Sequence, residues 1–90
     1  MLLTRLKISG HSMEPQIRNG DFVLASSIPY FFSKPRKGDI VVFKKERRLI
    51  IKRIDQVKNY KYKVLGDNKK DSLDFGWITR IDILGKVFKI

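Results

Sequence analysis

A mainly β fold is what this sequence predicts, and three observations carry the expectation. Apolar residues recur at short period in runs rich in Val, Ile, Phe and Tyr. Glycine, asparagine and proline punctuate those runs. The only segment with helical promise, Met13 to Arg18, carries Pro15 near its start and is limited to about one turn. The candidate strands in order are Thr4 to Ser9, Asp21 to Ser26, Asp39 to Lys44, Arg48 to Gln56, Tyr60 to Leu65 and Ile81 to Phe88. Gly20-Asp21, Lys37-Gly38-Asp39, Lys58-Asn59 and Gly66-Asp67-Asn68 supply turns between them. Ser26 to Lys37 is the longest expected loop, with Tyr30, Phe31 and Phe32 set among prolines and basic residues.

Ninety residues, 42% hydrophobic and 11% aromatic, are enough for one domain spanning 1–90. Cysteine is absent, so neither disulfides nor thiolate metal ligands stabilise it. The formal charge of +11 points to polyanionic neighbours, either an anionic lipid surface or nucleic acid. Runs such as Ile40-Val41-Val42-Phe43 are far shorter than the roughly 20 apolar residues of a spanning helix. Met1-Leu2-Leu3 gives way at once to Thr4-Arg5-Leu6-Lys7, so no secretory signal stretch is expected either. The chain reads as soluble, cytoplasmic or peripherally membrane-associated.

Two segments carry chemistry. In Gly10-His11-Ser12-Met13-Glu14-Pro15, Gly10 allows close backbone approach beside Ser12, Met13 packs beneath it, and nearby N–H groups are natural oxyanion donors. The same hexapeptide equally fits a strand-to-turn corner with an exposed serine. In Leu49-Ile50-Ile51-Lys52-Arg53, strand alternation sets Lys52 on the face of Ile50 and Ile54, with Arg53 on the other. Desolvation there favours a neutral amine, as a lysine general base requires. The alternative is a stem lying on apolar surface while its ammonium reaches water. His11 is the sole histidine and sits beside Ser12 in sequence, a poor geometry for a Ser-His-Asp triad. With one histidine and no cysteine, neither a metal nor another cofactor is expected.

These blocks resemble those of the signal peptidase I family of serine/lysine peptidases and, more distantly, the self-cleaving domains of SOS-type repressors. Gly10 through Pro15, continuing to Ile17 and Gly20-Asp21, matches the nucleophile block, and Pro35 with Gly38 to Phe43 matches the next. Ile51-Lys52-Arg53 matches the lysine block, and Gly66-Asp67-Asn68 with Ser72 and Asp74 matches the last. The resemblance implies a small coiled β-barrel like the signal peptidase catalytic core. It also implies Ser12 as nucleophile, Lys52 as base, Ser72 orienting the amine, and Asp74 as the acidic residue of its block. Gly10 stands where the family often has serine, and Phe75-Gly76 replaces its usual serine and arginine. Only nine residues precede Gly10, where bacterial members usually carry membrane anchors. In this the chain is similar to the small peptidases of nickel-type superoxide dismutase maturation.

The expectation is a serine-type endopeptidase that removes a signal or leader peptide from a polypeptide substrate. Tyr30, Phe31 and Phe32 either cover one end of a small barrel or, with Lys34, Arg36 and Lys37, supply a peripheral contact for anionic membrane. The rival readings are an inactive peptide-binding module and a basic nucleic-acid-binding β-barrel using Tyr30, Phe31, Tyr60 and Tyr62.

Overall fold

In a computed structural model of the chain, residues 1–70 and 75–89 are described, Lys89 by its backbone alone. Seven strands follow one another: β1 (Thr4–Lys7), β2 (Phe22–Ser26), β3 (Ile40–Lys45), β4 (Arg48–Lys58), β5 (Lys61–Leu65), β6 (Trp77–Thr79) and β7 (Ile83–Lys89). One helical turn, α1 (Pro29–Phe32), follows β2, and a 3-10 turn, Arg80–Asp82, precedes β7. All described strand pairs are antiparallel in one sheet ordered β1-β2-β7-β3-β4-β5-β6. The fold is mainly β. The sheet is not closed into the barrel the resemblance implies, because among the described residues β1 and β6 each pair on one side only.

The sheet buries side chains on both faces. Along β3, Val41 and Phe43 enter a cluster with Tyr30, Ile54, Tyr62, Val64, Ile78 and Ile83. Val42, pointing the opposite way, joins Ile8, Met13, Ile17, Val23, Ala25 and Val87. A strand buried on both faces has no polar alternation, which is why Ile40-Val41-Val42-Phe43 is a continuous apolar run. The second cluster sits under residues 8–17 and gives the serine segment its floor: Met13 and Ile17 are almost fully buried.

Two hairpins and one glycine shape the sheet. The β3–β4 turn uses Glu46 and Arg47 at φ 50° and 67°, and β4–β5 uses Asn59 and Tyr60 at 49° and 65°. Two successive left-handed residues match the twist of the flanking strands. In β7, Gly85 faces Val42 next to a register shift between Val42 and Phe43. A Cβ on Gly85 would lie 2.9 Å from the backbone carbonyl carbon and oxygen of Ser26, so this crossing of β2 and β7 requires glycine.

Candidate active site

Among the described residues β1 is an edge strand, and β4 is half open. Arg48 to Arg53 pair with β3, whereas β5 pairs with β4 only from Arg53 onward. Alternate residues of 48–52 therefore turn backbone N–H and C=O groups away from β3. The space between this open half and residues 6–13 is a cleft of about 440 Å³. Leu6, Lys7 and Ile8 line one wall and Arg48, Leu49 and Ile51 the other. Gly10, His11, Ser12, Met13, Lys52 and Phe75 line it as well.

Lys52 is 3% exposed and belongs to the face that the alternation predicts: Ile50 and Ile54 beside it pack into one core cluster, Ile51 into the other. Val41, its cross-strand partner in β3, is fully buried. Phe75 covers the amine, with Nζ 5.6 Å from the ring centroid, and its own ring meets Phe43 edge-on at 5.8 Å. Burial disfavours an ammonium, and a ring face at this distance favours one weakly.

The serine segment is held by local and distant contacts. Gly10 takes φ 107°, a left-handed conformation that a side chain would strain, and donates its N–H to Asn19 Oδ1 at 2.9 Å. Ile17 N–H bonds Met13 C=O at 3.0 Å, closing the single turn expected after the serine. Ser12 is half-buried, and Met13 after it is buried in the second core cluster. His11 Nδ1 and Glu14 Oε2 are 2.8 Å apart, and that hydrogen bond holds the Glu14 carboxyl below the usual carboxylate range. This contact turns His11 toward Glu14.

From the far side, Asn68 donates its backbone N–H to Ser12 C=O at 2.7 Å and its Nδ2 to His11 C=O at 3.0 Å. Asp67, next in line, accepts two bonds from Arg53, Nε to Oδ1 at 2.8 Å and Nη2 to Oδ2 at 2.9 Å. That pairing raises the Arg53 guanidinium above its ordinary value. Arg53 follows Lys52 directly, so the turn Gly66-Asp67-Asn68 ties the lysine strand to the serine segment. Sequence reasoning reads Asp67 and Asn68 as turn capping and charge pairing at the surface, which the Arg53 pair of Asp67 matches. Asn68 Oδ1 does cap Lys70 N–H at 3.1 Å, but its Nδ2 reaches 57 positions back. No local pattern encodes that reach. Phe75 is a second such residue, read in sequence only as a departure from a family pattern.

Of the expected site residues, Gly10, Ser12, Met13 and Lys52 line this one cleft. Ser72 and Asp74 lie outside the described residues. Among the described residues no group of His, Cys, Asp or Glu could hold a metal ion, and no helix is long and apolar enough to cross a membrane.

The family model described as signal peptidase, peptidase S26, matches residues 1–55, a stretch that contains both Ser12 and Lys52. The chain belongs to this family. It is similar to signal peptidase I of Aquifex aeolicus (strain VF5), at 31% identity over 91 aligned positions covering 92% of this chain and 33% of the relative. It is also similar to thylakoidal processing peptidase 1, chloroplastic, of Arabidopsis thaliana, at 49% identity over 37 positions covering 41% of this chain and 11% of the relative. The chain thus spans a third or less of the length of these relatives.

The aromatic loop needs correction in one residue. Tyr30 is buried in the core, and its hydroxyl donates to Asp39 Oδ2 at 2.7 Å. Burial and that bond push the phenol far above its ordinary value. It is unavailable to a membrane, because α1 turns its ring inward while Phe31 and Phe32 remain 66% and 87% exposed. The nucleic-acid reading loses more: Tyr30 and Tyr62 are both buried, and Tyr60 is stacked under Lys34, whose Nζ lies 4.5 Å from the ring centroid.

Proposed function

We propose that this chain carries a serine-type endopeptidase activity in which Ser12 is the nucleophile and Lys52 the general base. One observation supports this above all: a serine and a buried lysine line the same cleft between two strand edges. The neutral Lys52 amine takes the hydroxyl proton as Ser12 Oγ bonds to the scissile carbonyl carbon. Gly10 and Glu14 N–H groups are already engaged, so the amides of Ser12 and Met13 are the candidates to receive the oxyanion. Collapse of the tetrahedral intermediate breaks the C–N bond, and the Lys52 ammonium returns the proton to the departing amine. Water, deprotonated by Lys52, then attacks the Ser12 ester, releases the acid and restores the serine. Ser72 and Asp74 keep the supporting roles that the resemblance implies.

The substrate is an extended leader or signal peptide lying as an added strand between residues 6–9 and 48–51. Both walls offer backbone groups, so pairing supplies register without strong side-chain demands. A peptide there would bridge β1 and β4 and complete a ring of strands β1-β2-β7-β3-β4 that the chain alone leaves open. Exposed Phe31 and Phe32 beside Lys34, Arg36 and Lys37 support peripheral contact with anionic lipid.

Digestion of a diverse peptide library by wild type, Ser12→Ala, Lys52→Ala and the double variant tests the reading. Each single variant is expected to lose cleavage, with the double no worse than either, since groups acting as a unit are non-additive. Cleavage by Ser12→Ala at the wild-type rate would overturn it.

A further inference from the structure

The end of the cleft away from Ser12 and Lys52 is charged, and in one sense only. Lys7 borders it from the β1 wall and Arg48 from the β4 wall, and among the described lining residues there is no Asp or Glu. Both side chains are exposed. The ammonium of Lys7 stands 6.0 Å from the centroid of the Phe22 ring, which gives its stem a shelf while leaving the charge in solvent. Flanking segments extend the same sign: Arg5, Lys44, Lys45 and Arg47 are exposed, with Glu46 the lone carboxylate between residues 44 and 48.

A solvated cation on a surface is ordinary; two of them on opposite walls of a groove built for an extended chain have a consequence. Field lines from like charges concentrate in a cleft, so a peptide carboxylate is drawn in and a peptide cation is repelled. Arg48 precedes Lys52 by four positions, which at roughly 3.3 Å per residue puts it about 13 Å along the strand. An extended peptide has the same rise, so its residue about three to five positions from the scissile bond passes between Lys7 and Arg48.

Resting on the peptidase reading, we infer that the cleft selects polypeptide substrates bearing Asp or Glu about three to five residues from the scissile bond, on the arm that occupies the Lys7–Arg48 end. Next to that end the two walls carry Leu6, Ile8, Leu49 and Ile51, so the acidic position is flanked by apolar ones.

The test is a proteome-derived peptide library digested at low salt, with the cut sites read by mass spectrometry. Acidic residues should be enriched about two- to fivefold in a single window on one arm, the range expected of solvated ion pairs, and the enrichment should fade as salt is raised. The double variant Lys7→Glu with Arg48→Glu should reverse the preference toward Lys and Arg in that window. Lys58→Glu with Lys61→Glu changes the net charge equally at the β4–β5 hairpin and should leave the preference unaltered. Cleavage without acidic enrichment, or an equal shift from the Lys58 and Lys61 pair, overturns the inference while leaving the peptidase reading standing. No cleavage of any library peptide removes the peptidase reading itself, and the inference with it.

Discussion

Asn68→Ala isolates the contact that joins the last sequence block to the nucleophile. The substitution deletes two side-chain hydrogen bonds, Nδ2 to His11 C=O at 3.0 Å and Lys70 N–H to Oδ1 at 3.1 Å, and leaves the backbone bond to Ser12 C=O in place. A net contribution of about 0.5–1.5 kcal/mol each, taken at its low end because both sites meet solvent, gives a loss of about 1 kcal/mol. In a domain of this size that lowers Tm by about 4–8 °C. The kinetic effect comes from the His11 bond alone, since it positions the residue next to the nucleophile. That bond's share, about 0.5 kcal/mol, corresponds to roughly twofold in kcat. Asn68→Asp separates the two bonds: the carboxylate still accepts from Lys70 N–H but cannot donate to His11 C=O. Thermal melts and single-peptide cleavage kinetics on both variants are the assay. Asp should melt closer to wild type than Ala does, yet cleave as slowly. Wild-type kcat in Asn68→Asp would refute the idea that this turn positions the serine.

Three further outcomes follow from the geometry. Gly85→Ala should lose about 1–3 kcal/mol in urea denaturation, because its Cβ would stand 2.9 Å from the Ser26 carbonyl group and force β2 and β7 apart; an unchanged midpoint would deny that close approach. The folded Tyr30 phenol lies above its ordinary 10.0, so its contribution is intact below pH 10.0 and is lost as pH rises beyond it. Tyr30→Phe should cost about 1 kcal/mol at neutral pH and flatten that alkaline loss, whereas parallel alkaline curves for both proteins would contradict the assignment. Co-sedimentation with anionic vesicles at low salt should weaken with added salt, vanish on neutral lipid, and fall when Phe31 and Phe32 are both changed to serine; binding that ignores the substitution would locate the contact elsewhere.

Strand patterning made most of the sheet legible. Alternation assigned Ile50, Lys52 and Ile54 to one face, and the two core clusters divide along that line. Boundaries moved by a residue or two, and Trp77–Thr79 was absent from the expected strands because three residues are too short to stand out from their surroundings. The aromatic loop left core cover and membrane contact both open, since a polar ring beside two phenylalanines gives no local sign of which will turn inward. Asp39, nine positions away, supplies the partner that admits the hydroxyl to the core. In the site, Ser12 and Lys52 could be singled out by chemistry, but the Arg53–Asp67 and Asn68–His11 contacts depend on how β4 and residues 66–70 meet in space. The open edge of β4 likewise depends on where β5 stops pairing, a matter of register that composition does not record.

The pH dependence of cleavage by the wild-type protein, measured as kcat on a single well-cleaved peptide, tests the Ser12–Lys52 assignment most directly. Lys52 is buried, and only its neutral amine can take the Ser12 proton, so the rate should rise with pH to a neutral or alkaline plateau. A rate that is greatest at acid pH and falls toward neutrality would contradict Lys52 as the base.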